Sequence, residues 1–304
     1  MNVGRFEFIE NVQARFVSTI PTILEIDGPA REELILVRLL TGTLKIKDQI
    51  TGSQFVQKNN YSKTDYSENR VISMRPVRDC LDVGLSEVHL SQYITNSIHY
   101  GNKKLFKNFL LELSHFFLCK ENNSHLSGFL HLYRSLEFIS YCFPLFYASR
   151  SKDYHGTFNT LKGYFKGSDG ERDFLKKFVN EHLFKTDPIL DIQLHIPINA
   201  VNPILQKQFY DAFLKIQSQN RKQIELINSL PNYEIITNRK SLISIMISLR
   251  NRNFHLLEGD YNDNLTSEEL YDFDGFYSNF NEIFLNWIAL IYFKLLNKAV
   301  EFDK

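Results

Sequence analysis

The sequence predicts a mainly α fold, with a helical bundle over residues 86–304 preceded by a small mixed α+β region over residues 1–85. Three observations carry that expectation. From residue 86 onward apolar side chains recur three and four positions apart, which places them on one face of a helix. Before residue 86 the pattern is mixed, and TLKIKDQI (43–50) alternates apolar and polar residues as a strand does. At 304 residues the chain exceeds the usual span of one domain, about 100 to 200 residues, so two unequal parts are expected.

Taken in order, GRFEFIENVQARFVSTI (4–20) carries apolar residues at helical spacing and REELILVRLLTG (31–42) reads as a second helix. The TLKIKDQI stretch suits an edge strand, and the polar run GSQFVQKNNYSKTDYSENR (52–70) reads as a loop. This first region is assigned to sensing or to support of a dimer. Helices are then expected over SEVHLSQYITNSIH (86–99), NKKLFKNFLLELSHFFLCK (102–120), SGFLHLYRSLEFISYC (127–142), GTFNTLKGYF (156–165) and GERDFLKKFVNEHLF (170–184). VNPILQKQFYDAFLKIQ (201–217), NRKSLISIMISLRNRNFHLL (238–257) and a long segment from Ser267 to about Phe302, interrupted at Gly275, complete the set. Pro144 should end or kink the third of these helices, since proline lacks an N–H and clashes with the preceding turn. DIQLHIP (191–197) and YEIIT (233–237) look extended and suit a small two-stranded pair.

Composition narrows the function. Lys plus Arg and Asp plus Glu number 35 each, so no global field favours a polyanion and any nucleic-acid contact needs a local patch. The three cysteines, Cys80, Cys119 and Cys142, make no CxxC pair and no even-numbered framework, which fits a reducing, cytoplasmic location. MNVGRFEFIE lacks the apolar run of a signal peptide. IFLNWIALIYFKLL (283–296) contains Asn286 and Lys294 and falls short of the ~20 residues that span a bilayer, so it is read as a buried helix with no membrane contact.

The segment SLRNRNFHLLEG (248–259) places two arginines, two asparagines and a histidine directly after the apolar LISIMI. On an ideal helix Ile243, Met246, Ile247, Phe254 and Leu257 fall within about 60° of Arg250. Ser241, Ser244, Ser248, Asn251, Arg252 and His255 share the other side, a small-polar face that ends in Asn-Arg-His. Histidine titrates near neutral pH and can move a proton, arginine holds a phosphate in a fork, and an asparagine amide orients either partner. That chemistry needs no metal. With no GxxxxGK[ST] and no GxGxxG in a strand-to-helix setting, no cofactor is expected either.

The stretch Arg250-Asn251-Arg252-Asn253-Phe254-His255 resembles the R-x(4–6)-H signature of the HEPN superfamily, in which a polar residue follows the arginine. In that family the signature lies on a helix of an all-α bundle, and two copies meet across a dimer to form one ribonuclease site. FLHLYRSLEF (129–138) looks like an early helix of the HEPN-type proteins of bacterial abortive-infection and antiphage systems. The likeness reaches residues 86–304. It implies a metal-independent endoribonuclease, a toxin or effector of prokaryotic antiviral defence, acting on RNA as a homodimer, with an antitoxin or a phage-derived activator as further partner. Arg250, Asn251 and His255 would carry catalysis, supported by Arg252, Arg134 and Glu137. The alternative is a non-catalytic HEPN-like module that binds a nucleotide or a protein.

Arg250 and His255 point about 140° apart on an unbroken helix, which leaves three arrangements open. The helix distorts at Asn253, or Arg252 shares the site with His255, or Arg250 serves the histidine of a partner subunit. In a purely structural role Arg250 would cap carbonyls at the helix end, where cations are favourable. A second R-x4-H match, Arg150 to His155, falls in a stretch rich in helix breakers and reads as a connector. Arg134 and Glu137 have the spacing of a helical ion pair. Glu112-Leu113-Ser114-His115 has the E-x-x-H spacing of di-metal bundles, with Cys119 one turn on, but the second E-x-x-H that such a site wants is missing.

Overall fold

The computed structural model describes residues 1–17, 21–26, 31–97, 103–166, 171–219, 224, 228–230, 233–254 and 265–304. The amino-terminal part is built on a four-stranded antiparallel sheet in the order β1 (Asn2–Val3), β2 (Phe6–Glu10), β3 (Leu44–Asp48), β4 (Gln54–Gln57). Over the described part of the helix expected from residue 4, the chain is largely a hairpin, and among those residues only Ala14–Val17 is helical, as the short α1. The reason lies in Phe6 and Phe8, whose two-residue spacing sends both rings to the buried face of a strand. Gly4, at φ +58°, closes the turn into β2. Β3 alternates as expected but lies between β2 and β4, so it is an interior strand and not an edge.

The polar run 52–70 is also more structured than its composition suggests. It contributes β4, and Tyr61 is fully buried with its hydroxyl donating to Glu282 at 2.6 Å. Asn286 donates to the carbonyls of Tyr61 and Lys63, so side chains near the carboxyl terminus pin this segment. Helix α2 (Glu32–Leu40) is buried along almost its whole length, Arg38 included. A short α3 (Arg75–Asp79) leads into the helical part.

That part begins with α4 (Glu87–Asn96), followed by α5 (Lys103–Glu121) and α6 (His125–Ser149), which pack as a long antiparallel hairpin. Pro144 does not end α6, which runs five residues further to Ser149. Helix α7 (Tyr154–Lys166) and α8 (Glu171–Lys177) follow, and α8 continues into a π-helical turn, Phe178–Leu183. The two extended segments do pair, as β5 (Gln193–Pro197) and β7 (Glu234–Asn238), with β6 (Asn228–Leu230) on the other edge of β7. Helix α9 (Pro203–Gln219) lies between β5 and β6 in the chain.

The remaining helices are α10 (Leu242–Phe254), α11 (Phe273–Ser278) and α12 (Asn281–Asp303). The break expected at Gly275 falls instead at Asn279–Phe280, because Asp272 caps α11 by accepting from the Gly275 N–H and draws that glycine into the helix. Helix α12 is long and apolar enough to cross a membrane by length and composition, but 83% of its apolar window is buried inside the fold. Trp287 at its centre is fully buried, and Tyr292 donates to the Glu33 carbonyl of α2. The amino-terminal sheet and the bundle thus share one continuous apolar core.

Candidate functional site

Strand β7 delivers the chain directly into α10. Asn238 caps the intervening 3-10 turn, accepting from both the backbone N–H and the hydroxyl of Ser241 at 3.1 Å. From Leu242 to Leu249 the helix is inside the protein: Leu242, Ile243, Ile245, Met246 and Leu249 are all buried. So are Ser241, Ser244 and Ser248. The serine face expected to line a polar site is therefore packing surface, where small side chains let neighbouring elements approach closely. Apart from the half-buried Ile247, the helix becomes accessible in its last turn.

Arg250 is half-buried, Asn251 exposed and Arg252 half-buried. The Arg250 guanidinium lies 5.3 Å from the centre of the Tyr133 ring of α6, and its Nη1 donates to Asn251 Oδ1 at 3.3 Å. The helical wheel puts Arg250 on the apolar side, and it does lie there, against an aromatic face. The ring quadrupole makes such a surface favourable for a cation. Tyr277 of α11 donates to the Leu249 carbonyl at 3.5 Å, and the Arg252 carbonyl accepts from Leu265 at 3.3 Å. His255 lies outside the described residues. Of the signature, the arginine and asparagine are therefore described at the end of a buried helix packed on α6.

On α6 itself, Glu137 is exposed one turn from Tyr133. Arg134 does not take Glu137 as its partner. It pairs with Glu112 of α5, Nη2 to Oε1 at 2.9 Å. The other oxygen of Glu112 receives His131 Nδ1 at 2.7 Å. His131 stacks on His115 with ring centres 4.9 Å apart, and the edge of Phe6 closes the stack at 4.8 Å from His115.

Burial pulls the pKa of His131 down, but its hydrogen bonds to Cys119 and Glu112 outweigh burial and hold it at about 9. His115 is displaced the other way, by burial first and then by the charge of His131. Side by side, one imidazole is held protonated and the other neutral at physiological pH. The E-x-x-H of α5 thus belongs to a cluster that also draws on His131 and Arg134 of α6. Among the described residues no group of three or more His, Cys, Asp or Glu side chains is arranged to hold a metal ion. The sequence held the signal in two pieces, Glu112/His115 and His131/Arg134, each at helical spacing on its own helix.

The second R-x4-H match is structural at its arginine: Arg150 is paired with Asp303 at 2.6 Å, while His155 is exposed in the first turn of α7. A separate open groove of about 620 Å³ lies by α3, lined by Asn60, Asn69, Arg70, Arg75 and Arg78. All three arginines are exposed, and Arg75 is paired with Asp79 at 3.2 Å.

No protein-family model matches the sequence, and neither a curated protein nor a solved structure shows significant similarity to it.

Proposed function

We propose that the chain is a metal-independent endoribonuclease of HEPN type, active as a homodimer and serving as a toxin or effector of prokaryotic antiviral defence. The observation that carries this reading is the end of α10, where Arg250 and Asn251 leave a largely buried helix and the guanidinium is braced on Tyr133 of α6. A rigid helix with a charged last turn is a suitable mount for groups that must hold a phosphate in fixed geometry. Arg250, with Arg252 beside it, neutralises the charge that builds on the phosphorus oxygens in the transition state. Asn251 orients the phosphate or the histidine. His255 removes the proton of the ribose 2′-hydroxyl or protonates the departing 5′-oxygen, giving a cyclic 2′,3′-phosphate.

Glu137, exposed on the α6 turn beside Tyr133, and Arg134 support the helix on which Arg250 rests. The arginines of the α3 groove, three against the two carboxylates Asp79 and Glu87 in its lining, supply the local positive charge that a chain of zero net charge needs in order to hold an RNA backbone. An antitoxin or a phage-derived ligand controls the activity in the cell.

The test compares wild type with Arg250→Ala/His255→Ala. Growth arrest and RNA fragmentation on expression, together with chelator-resistant cleavage of purified RNA and inert DNA, are expected of the wild type alone. A His255→Ala protein that cuts RNA as fast as wild type overturns the reading.

A further inference from the structure

The connector that begins the second R-x4-H match lines a cavity that neither the α10 site nor the α3 groove uses. Where α6 ends beside the last turns of α12, an open cavity of about 420 Å³ lies between the two helices and the stretch from Arg150 to Asp153. That volume suits a small molecule, since ligand pockets run from about 300 to 1,000 Å³. Its floor is apolar, built from the buried side chains of Phe146, Leu295 and Ala299, and Tyr147 and Phe302 add aromatic walls. Phe302 is 37% exposed, which leaves ring surface for a ligand to cover.

The charged groups around the cavity are not equally engaged. Arg150 is held by Asp303 at 2.6 Å, both side chains being more than nine-tenths buried. Its guanidinium also lies 5.7 Å from the centre of the Phe146 ring and 5.8 Å from that of Phe302, so the ion pair fixes two sides of the cavity. Asp153 is taken up by α7, where its Oδ1 accepts from the Gly156 N–H at 2.9 Å. Lys298 and Glu301 stand 3.5 Å apart. Lys152 is left exposed, 5.6 Å from the centre of the Phe302 ring and with no carboxylate partner among the described residues.

We infer that this cavity binds a small aromatic carboxylate, with its ring packed among Phe146, Tyr147 and Phe302 and its carboxylate on the Lys152 ammonium. Each half of the ligand follows from the groups it meets. Aromatic rings pair in offset or edge-to-face contacts that add to the gain from apolar burial, and the floor of Phe146, Leu295 and Ala299 supplies that burial. A cationic ligand is disfavoured, because Arg150 and Lys152 already lie against the Phe302 ring and would repel it. One unpaired ammonium calls for one negative charge. A phosphate dianion would bring its second charge into a lining that already holds Asp153 and Glu301. Binding here is separate from the α10 site, so it is measured without RNA.

The test titrates the folded full chain by calorimetry with benzoate, 3-phenylpropanoate and indole-3-acetate, each beside its own uncharged amide. At least one of the acids is expected to bind one-to-one with a Kd of about 0.5 mM or tighter, a strength within reach of a ligand of this size. Its amide is expected to bind about 10-fold more weakly, for loss of the charge-assisted hydrogen bond. Lys152→Gln, at an exposed position, is expected to erase the difference between acid and amide. Phe302→Leu is expected to weaken acid and amide alike, by about 3-fold or more. Failure of all three acids to bind at that strength, or an amide that binds as tightly as its acid, overturns the inference with the wild-type chain alone. So does a Kd for the acid that both substitutions leave unchanged.

Discussion

At the scale of single residues, two side chains decide how the candidate sites work. Arg250 reconciles charge with an apolar position by lying on the face of Tyr133, a contact worth about 0.5–1 kcal/mol at a partly exposed site. Its planar fork both stacks and binds a phosphate through two donors, which an ammonium cannot do. Arg250→Lys should therefore lower RNA cleavage by about 100-fold or more while the melting temperature changes little, as read by labelled-RNA gels beside a thermal melt. His131 has a pKa of about 9 when folded against 6.5 as its ordinary value. Because the folded value is the higher one, protonation stabilises the native state. That contribution is fully present below pH 6.5 and is lost as the pH rises through about 9. The melting-temperature gap between wild type and His131→Gln should be widest in mildly acidic buffer and should narrow as pH rises from 6.5 to about 9. A gap that widens toward alkaline pH would contradict the assignment.

At the scale of elements, burial accounts for where the secondary structure departs from its local pattern. Helix α2 carries Arg38 into the core, fully buried, where Nη1 donates to Glu10 Oε2 at 2.8 Å and Nε to Thr43 at 3.1 Å. This pair ties α2 to the end of β2. Removing one member of a buried ion pair strands the other, at a cost of about 3–5 kcal/mol, so Arg38→Met should be strongly destabilising in a denaturant titration. Glu10→Gln should cost at least as much, since the charge it strands, Arg38, is fully buried, whereas Glu10 left behind by Arg38→Met is 24% exposed and can recover some solvation. The same logic explains α10. Its serines read as a polar face, yet every one between residues 241 and 248 is buried, because a helix surrounded on all sides needs small residues as much as large ones. The polar alternation of 52–70 hid Phe55 and Tyr61, two aromatic anchors that order a stretch otherwise typical of loops.

At the scale of the whole molecule, a chain with no net charge must localise the positive surface it offers to a nucleic acid. The α3 groove concentrates three exposed arginines within a few residues. Two of them, Arg70 and Arg78, lie beside the Arg75–Asp79 pair. An Arg70→Gln/Arg78→Gln protein should bind single-stranded RNA more weakly, with the slope of log K against log salt reduced by about 1.5, while the chemical step at saturating RNA stays unchanged. Unaltered affinity and slope would remove this groove from the RNA path. The proposed composite site requires two chains, so light scattering should return twice the mass of the chain.

Local pattern was enough for the mainly helical class, for the existence of α2 and α4–α12, for the pairing of β5 with β7 and for the burial of α12, though α6 runs seven residues past its expected end and α11 begins six residues after Ser267. These follow from periodicity, which is a local property of the chain. It also marked the run from Arg250 to His255 as chemically unusual. Tertiary structure alone decided that Phe6 and Phe8 belong to a strand, that Arg134 turns to Glu112 and away from Glu137, and that His131, His115 and Glu112 meet on one seam. Those outcomes depend on the register between α5 and α6 and on which face of each element another element covers. Spacing along a single helix fixes which side chains share a face, but only packing sets what that face meets.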